Sequence, residues 1–362
     1  MTVDLILDPR DLAPAELVAR AAAVGLGGEG LRRWVSEVVG RGRHDPAGWI
    51  RTGILPKRVA TRLAPLPRLR LDALQTSAVD GFQKLRFRTA DDLAVETVLI
   101  PLHKQGATSV CLSSQVGCAM ACAFCATARM PSRRNLATWE IVDQFLQARD
   151  LARSQGRHVT GAVFMGMGEP FLPGVKSHVL RAAALLCCPF GAQVASKAIT
   201  ISTVGIVPSI HEYIDEGHKY RLSISLGAAT DARRARLVPQ AARWPVAELM
   251  AAARRYALDR ATRVNLSYVC IDGENVSEDD ARALGDLIGD TPVRLDLIEV
   301  TDPTGRYRPP SPERLGAFRD ALTRYVGQPV VRRYSGGADI QAACGTLAGV
   351  QSYRMASIAP PS

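Results

Sequence analysis

The chain has 362 residues, 47% of them hydrophobic, and its 45 Lys and Arg against 35 Asp and Glu give a net charge of +10. The length predicts one large catalytic domain with a smaller appendage, and the positive charge favours a polyanionic partner such as nucleic acid. Because no run of about 18 apolar residues occurs and the first residues do not resemble a signal peptide, we expect a cytoplasmic protein with no membrane span.

Residues 1–75 are predicted to form a small, basic, helical accessory domain. Two segments, 12–25 and 30–42, place apolar residues at helical spacing, and both end at a glycine. The first 90 residues contain 15 Lys and Arg against 9 Asp and Glu. A basic helical module suits contact with RNA, although a solvated helical face would show the same pattern.

Residues 76–110 are predicted to form a β-hairpin that links the helical part to the catalytic domain. The segment "KLRFRTADDLAVETVLIPL" alternates polar and apolar residues around a polar turn at Ala90, Asp91 and Asp92. Within it, Glu96 is flanked by apolar residues. That position fits either a catalytic carboxylate or a glutamate on the exposed face of an edge strand.

From residue 111 to residue 350, strand-like and helix-like segments alternate along the chain. The β-rich runs lie at 161–168, 198–205, 221–228, 263–272 and 293–300, and two amphipathic helical stretches lie at 138–153 and 245–258. This alternation predicts an α/β fold, a partial (βα)6 barrel with its chemistry after the carboxyl ends of the strands. The tail at 351–362 is expected to be flexible.

The eight cysteines divide into two groups. Cys187, Cys188 and Cys270 lie in apolar or strand-like runs and are predicted to be small buried residues. The other five are predicted to carry chemistry as reduced thiols, because a disulfide framework does not suit a chain without a secretory signal. They are Cys111, Cys118, Cys122, Cys125 and Cys344.

Three of these cysteines lie on one short loop, "SSQVGCAMACAFCATA", as Cys118, Cys122 and Cys125. A structural zinc site needs four ligands, so Cys111 or His103 would have to complete it. A disulfide would leave one thiol unpaired. A [4Fe-4S] cluster held by three thiolates keeps one iron open for a further ligand, whereas four thiolates make an electron carrier. The C-x3-C-x2-C spacing resembles that of radical S-adenosylmethionine (SAM) enzymes.

Polar residues follow the predicted strands at three other places. The turn "MGMGEP" contains Gly168 and Glu169, whose carboxylate could hold the ammonium group of SAM. Ser202 and Ser225 come at the ends of two further strands, where they contact a ligand or cap the next helix. As a pair, Cys111 and Cys344 suggest covalent chemistry, because one thiol can carry a group and the other can displace it through a disulfide.

Taken together, these residues resemble the RlmN/Cfr family of radical SAM RNA methyltransferases. The matching segments occur in order along nearly the whole chain: "VETVLIP", "SVCLSSQVGCAMACAFCATA", "RRNL", "EIVDQ", "MGMGEP", "ISTVGIVP" and "DIQAACGTLAG". The resemblance implies a radical SAM barrel with a small N-terminal helical domain. It also implies two SAM molecules per turnover and a [4Fe-4S] cluster on Cys118, Cys122 and Cys125.

The resemblance further implies a reaction on an sp2 carbon, C2 or C8, of adenosine in 23S rRNA, with tRNA as a further substrate. Cys344 would take a methyl group from SAM, a radical formed from a second SAM would activate that methyl group, and Cys111 would release the product through a disulfide with Cys344. Either Cys111 or Glu96 would remove the proton from the adenine carbon. The implied partners are RNA and an electron donor such as flavodoxin or ferredoxin, and the protein is expected to be a monomer.

The SAM contacts that the resemblance implies are Gly168, Glu169, Ser202, Ser225, Leu226, Gly227 and Thr301. Two of them depart from the family pattern. Gly227 replaces the usual histidine, and Thr301 replaces the usual asparagine. The segment "RMPSRRNL" also lacks the usual glycine. These departures motivate a second hypothesis, in which the same methyl-cysteine chemistry acts on a small molecule or a peptide.

Overall fold

A computed structural model describes residues 7–130 and 134–348 of the chain. The predicted tail at 351–362 lies outside the described residues, as do residues 131–133 of the segment that follows the three cysteines. The N-terminal part contains four short helices: α1 (Pro14–Ala23), α2 (Gly28–Val35), α3 (Pro46–Arg51) and α4 (Lys57–Ala60). A π-helical turn, Ser36–Gly40, continues α2.

The helical part is shorter than the predicted 1–75. It ends at Ala60, and the chain then runs through Pro65 and Pro67, which cannot continue a helix. Residues Arg70–Thr76 form a strand, β1, which pairs antiparallel with the next strand. The sequence "RLDALQT" has the alternation of a half-buried strand. The antiparallel region therefore begins at β1, before the predicted boundary at residue 76.

Three strands follow: β2 (Gln83–Arg88), β3 (Ala94–Pro101) and β4 (Ala107–Cys111). Strands β2 and β3 form the predicted hairpin, with the turn at Ala90 and Asp91. Strand β4 pairs antiparallel with β3 on one side and parallel with a later strand on the other. The hairpin is therefore not a separate linker, because it belongs to the same sheet as the catalytic barrel.

The remaining elements alternate as the sequence predicts. In chain order they are β5 (Gln115–Val116), β6 (Arg134–Asn135), α5 (Thr138–Ser154), β7 (His158–Phe164), α6 (Lys176–Cys187), β8 (Ile199–Thr203), α7 (Val207–Asp215), β9 (Arg221–Ser225), α8 (Asp231–Leu237), α9 (Val246–Asp259), β10 (Val264–Cys270), α10 (Glu278–Ile288), β11 (Val293–Glu299), α11 (Pro312–Tyr325) and β12 (Val330–Arg332). Within residues 7–130 and 134–348, strands β5 and β6 pair only with each other.

One sheet joins the other strands in the order β1-β2-β3-β4-β7-β8-β9-β10-β11-β12. From β4 to β12 every pair of neighbours is parallel, and at least one helix lies in each connection. The sheet is open, with β1 and β12 at its edges. The predicted partial (βα)6 barrel is confirmed, with the antiparallel strands added at one side and the short β12 at the other.

The helical part and the barrel share one continuous hydrophobic core. All five residues of β4 are buried, as expected for a strand inside a parallel sheet. At the junction, the fully buried Asp143 of α5 accepts from the Arg10 side chain at 3.3 Å and from the Leu69 backbone N–H at 2.8 Å. Arg149, also on α5, donates to the Gly40 carbonyl at 2.6 Å. These bonds fix the N-terminal helices against the barrel.

Candidate active site

A cavity of about 670 Å³ lies at the carboxyl ends of the parallel strands. It is lined by residues at or just after the ends of successive strands, including Cys111 of β4, Ser202 of β8 and Ser225 of β9. In parallel barrels these ends face one side of the fold and carry the functional loops. The cavity is therefore where the fold would bring the predicted site residues together.

Ten of the thirteen residues predicted for the site line this cavity. They are Cys111, Cys118, Cys122, Cys125, Gly168, Glu169, Ser202, Ser225, Gly227 and Cys344. These residues come from parts of the chain more than 200 positions apart. Because they converge on a single cavity, the three-cysteine loop lies in the same site as the thiols of Cys111 and Cys344.

The donor set of the three-cysteine loop fits an iron–sulfur cluster. Burial raises the pKa of the Cys122 thiol well above its usual value, and the neighbouring Cys125 and Cys118 add to that shift. Among the described residues, no three His, Cys, Asp or Glu side chains are grouped as ligands of one metal ion. A [4Fe-4S] cluster is wider than an ion, and each thiolate binds a different iron, so three neighbouring thiols facing a cavity suit it.

The turn after β7 packs closely on the chain that leads into the three-cysteine loop. A Cβ atom at Gly168 would lie 2.7 Å from both the Gln115 Cβ and the Ser114 Oγ, and the φ angle of 105° also favours glycine. A Cβ at Gly166 would meet the Ser113 Oγ at 2.7 Å. The glycines therefore let the "MGMGEP" turn lie directly against this segment and hold Glu169 at the cavity wall.

Glu169 is 2% exposed but lines the cavity. Its carboxylate accepts from the backbone N–H groups of Phe171 at 2.9 Å and Val204 at 2.8 Å. Burial raises the pKa of Glu169 from 4.5 to about 7, and the two backbone bonds oppose that shift. A buried carboxylate in this position is chemically suited to a cationic ligand group, such as the ammonium of an amino acid.

Cys111 and Cys344 both line the cavity but differ in exposure, because Cys111 is buried and Cys344 is exposed. Burial, with a smaller contribution from the neighbouring Cys344, raises the pKa of Cys111 to about 12, and the Arg333 guanidinium opposes this shift. All eight cysteines of the chain are free thiols. The exposed Cys344 is thus accessible to a substrate, with a protected second thiol close by.

The three other predicted residues do not line the cavity. Leu226 is fully buried in the core, although its backbone carbonyl accepts from Arg234 at 3.1 Å. Thr301 is half-buried and lies outside the cavity lining. Glu96 is 1% exposed on β3, which has a neighbour on both sides, so it is not on an edge strand. Cys187 and Cys188, predicted to be buried, are half-buried, whereas Cys270 is buried as predicted.

The position of Gly227 has a backbone explanation. Its φ angle is 77°, in the left-handed region, and a Cβ atom there would lie 3.3 Å from a methyl group of Val238. The Gly227 carbonyl accepts from the side chain of Asn275 at 3.0 Å, which fixes this turn. The absence of a side chain leaves more room in the cavity than the family histidine would.

Two buried polar residues that support the cavity were missed in the sequence. Asn275 is fully buried, and its side chain bonds the backbone of Gly227, Val269 and Ile271. Arg234 is 1% exposed, and its guanidinium donates to four backbone carbonyls, those of Leu226, Ala241, Trp244 and Val204. It thereby ties the loop after β9 to the loop after β8. Neither residue belongs to a motif, so no local pattern in the sequence predicts either role.

We expect Arg234→Met to lower the free energy of unfolding by about 3–5 kcal/mol, because it leaves four backbone carbonyl groups without their hydrogen-bond donor. Arg236→Met is the matched control. Arg236 is on the same helix, but its side chain is 63% exposed and pairs with Glu274 at 3.4 Å. The control should change stability by less than about 0.5 kcal/mol in a urea titration. Equal effects of the two substitutions would show that the four carbonyl bonds do not stabilise the fold.

The chain was compared with known proteins. Residues 112–284 match the model of the radical SAM superfamily. A "Probable RNA methyltransferase" of Anaeromyxobacter sp. is 47% identical over 332 residues, covering 91% of this chain and 95% of that protein. A protein of the same description from Myxococcus xanthus is 43% identical and covers 94% of both chains. "Dual-specificity RNA methyltransferase RlmN 1" of Myxococcus xanthus is 39% identical and covers 78% of both chains.

A solved structure supports the same assignment. The crystal structure of a radical SAM methyltransferase from Sphaerobacter thermophilus matches with a TM-score of 0.87 and 37% identity, covering 95% of this chain and 100% of that one. Among the described residues, no helix is long and apolar enough to cross a membrane. The chain belongs to the RlmN/Cfr-like family of radical SAM methyltransferases.

Proposed function

We propose that this enzyme methylates C2 or C8 of an adenosine in 23S rRNA, with tRNA as a further substrate, through an S-methylcysteine at Cys344. The observation that carries the proposal is the shared cavity, in which Cys344 and Cys111 lie with the three-cysteine loop. A binding protein would need neither of these two thiols. An enzyme that carries a methyl group on one thiol and releases it with another needs both.

In this proposal the cavity residues hold the cluster or bind SAM. Cys118, Cys122 and Cys125 hold the cluster, and Glu169 binds the ammonium group of SAM. Gly168, Ser202 and Ser225 offer backbone and hydroxyl groups for the rest of that molecule, and the turn at Gly227 closes the same wall. When bound, the cluster would supply the electron that cleaves SAM, and Cys344 would hold the S-methyl group from which hydrogen is removed.

Cys344 keeps the methyl carbon covalently bound during the attack on adenine. An unactivated adenine C2 or C8 carbon is not nucleophilic, so it cannot take the electrophilic methyl group of SAM directly. After carbon–carbon bond formation, the adduct must lose one proton and one electron, and the oxidised cluster would be the acceptor of that electron. The Cys111 sulfur then bonds to the Cys344 sulfur, the bond from Cys344 to carbon breaks, and the carbon takes a proton to become a methyl group. A reductant must restore both thiols.

The RNA substrate is supported by the relatives named RNA methyltransferases and by a basic segment. Residues 46–71, which include α3 and α4, contain six Arg and Lys and no Asp or Glu. All six are exposed: Arg51, Lys57, Arg58, Arg62, Arg68 and Arg70. Exposed cations without intervening acids are typical of surfaces that contact the phosphate backbone. In this proposal the enzyme works in the cytoplasm with a flavodoxin or ferredoxin as electron donor.

The test is to incubate the cluster-loaded protein with SAM, reductant and 23S rRNA that lacks the modification, and then to analyse the nucleosides. We expect C2- or C8-methyladenosine together with 5′-deoxyadenosine. A reaction without RNA is the control for SAM cleavage that is not coupled to methylation. If 5′-deoxyadenosine forms but neither 23S rRNA nor tRNA is methylated, the acceptor is not RNA. The room left by Gly227 would then favour a small molecule or a peptide.

A further inference from the structure

A buried ion pair lies outside the cavity lining, on the antiparallel strands. Lys84 of β2 and Glu96 of β3 are 3% and 2% exposed at their side chains, and the Lys84 Nζ lies 3.6 Å from the Glu96 Oε1. Burial lowers the pKa of Lys84, and the charge of Glu96 opposes that shift. A buried ion pair contributes little to stability unless further hydrogen bonds satisfy both partners. The other hydrogen bonds of Lys84 and Glu96 therefore indicate the role of the pair.

Both members of the pair bond the chain segment that carries Cys344. The Lys84 ammonium donates to the Gln341 carbonyl at 3.2 Å, three residues before Cys344. The Glu96 Oε2 accepts from the Ala348 backbone N–H at 3.1 Å, four residues after it. The pair thus contacts the backbone on both sides of the exposed thiol, one contact made by a donor and the other by an acceptor.

We infer that Lys84 and Glu96 act together as positioning residues, which hold the two flanks of the Cys344 segment so that its thiol faces Cys111. The inference rests on the proposed function in that Cys344 is taken as the methyl carrier. It assigns Glu96 a task different from proton removal. This agrees with its position, because the carboxylate is buried outside the cavity lining and already receives a backbone hydrogen bond.

The segment is also held from the cavity side. The Ala126 N–H donates to the Gly345 carbonyl at 2.7 Å, and the Thr127 hydroxyl donates to the Leu347 carbonyl at 2.5 Å. Both donors directly follow Cys125 of the cluster loop. The segment therefore lies between the cluster loop and the Lys84–Glu96 pair. Removal of the pair should loosen one side of the segment without unfolding it.

The test uses the full-length, cluster-loaded protein without SAM. In the double variant Lys84→Met/Glu96→Met, no unpaired charge is left in the core and the side-chain volumes are roughly kept. Two measurements report the position of Cys344 and need no RNA. One is hydrogen–deuterium exchange of the peptides covering 341–348. The other is the rate at which diamide, a two-electron thiol oxidant, forms the Cys111–Cys344 disulfide.

We expect faster exchange in this segment and disulfide formation slowed by about tenfold or more, because the two thiols lose effective concentration. Glu96→Gln should stay within about twofold of the parent in both measurements, since its amide oxygen can still accept from the Ala348 N–H. Lys84, whose pKa burial already lowers, can then release its proton, and the neutral amine still donates to the Gln341 carbonyl.

Arg86→Met is the matched control. Arg86 is also on β2, and its guanidinium pairs with Asp72 of β1 at 2.8 Å. Its exchange in 341–348 should not change.

Two results would overturn the inference. In the first, the double variant exchanges and forms the disulfide as the parent does. In the second, Glu96→Gln matches the parent in both measurements but no longer methylates RNA, which would assign proton transfer to Glu96. If the proposed function itself is wrong, the experiments give a different pattern of results. Cys344 of the parent would then not become methylated, while the double variant would still show faster exchange and slower disulfide formation.

Discussion

Cys344→Ser is expected to abolish methyl transfer while leaving the cluster and SAM cleavage intact. Cys344 is exposed, and its backbone N–H donates to the Ser335 hydroxyl at 2.8 Å, so the substitution should not disturb the fold. A serine hydroxyl is a much weaker nucleophile than a cysteine thiolate and cannot form the disulfide with Cys111. Loss of a covalent nucleophile lowers turnover on the order of 10⁴-fold or more. Methylated nucleosides and 5′-deoxyadenosine would be measured in the same reaction.

Cys188→Ser provides the matched control. Cys188 is half-buried after the end of α6 and does not line the cavity. The same sulfur-to-oxygen change at this position should leave methylation within about twofold of the parent. If Cys344→Ser kept turnover comparable to that of Cys188→Ser, a methyl group would not pass through Cys344.

Cys122→Ala is expected to cause the second large effect, loss of the cluster. Cys122 is the middle residue of the three-cysteine loop, and all three cysteines line the same cavity. Burial raises the pKa of its thiol, and Cys125 and Cys118 add to that shift. With two thiolates left, a [4Fe-4S] cluster has two irons without a protein ligand and becomes labile. Iron and inorganic sulfide per chain should fall to near background, and 5′-deoxyadenosine should no longer form.

Cys187→Ala is the corresponding control, because Cys187 ends α6 and does not line the cavity. It should retain the iron and sulfide content of the parent. Full iron content in Cys122→Ala would contradict the assignment of this loop as the cluster site. Reduced iron in both variants would point to general instability, which circular dichroism of the two proteins would reveal.

The sequence was sufficient to predict the parts of the site that depend on local spacing. The three cysteines, the glycine turn before Glu169 and the polar strand ends lie on the predicted loops of a parallel fold, and that fold brings them to one cavity. Cys111 and Cys344 are far apart in the sequence. Their proximity follows from the fold, since β4 and the segment after β12 both reach the cavity.

Other features of the site could not be predicted from the spacing of residues in the sequence. Arg234 and Asn275 act by bonding backbone carbonyls of distant loops, and nothing in their local sequence distinguishes them from surface residues. Glu96 lies in an alternating strand, and the partner that explains its burial is Lys84 on the neighbouring strand. Thr301 is expected as a SAM contact only from the family resemblance, and the structure puts its side chain outside the cavity lining.

The central claim is that Cys344 carries the methyl group, and mass spectrometry tests it most directly. Cluster-loaded protein with reduced thiols would be incubated with SAM labelled in its methyl group, digested, and examined at the peptide containing Cys344. We expect one labelled methyl group on Cys344 before RNA is added, and its loss from the peptide as labelled RNA forms. Labelled RNA formed while Cys344 stays unmodified throughout would rule out Cys344 as the methyl carrier.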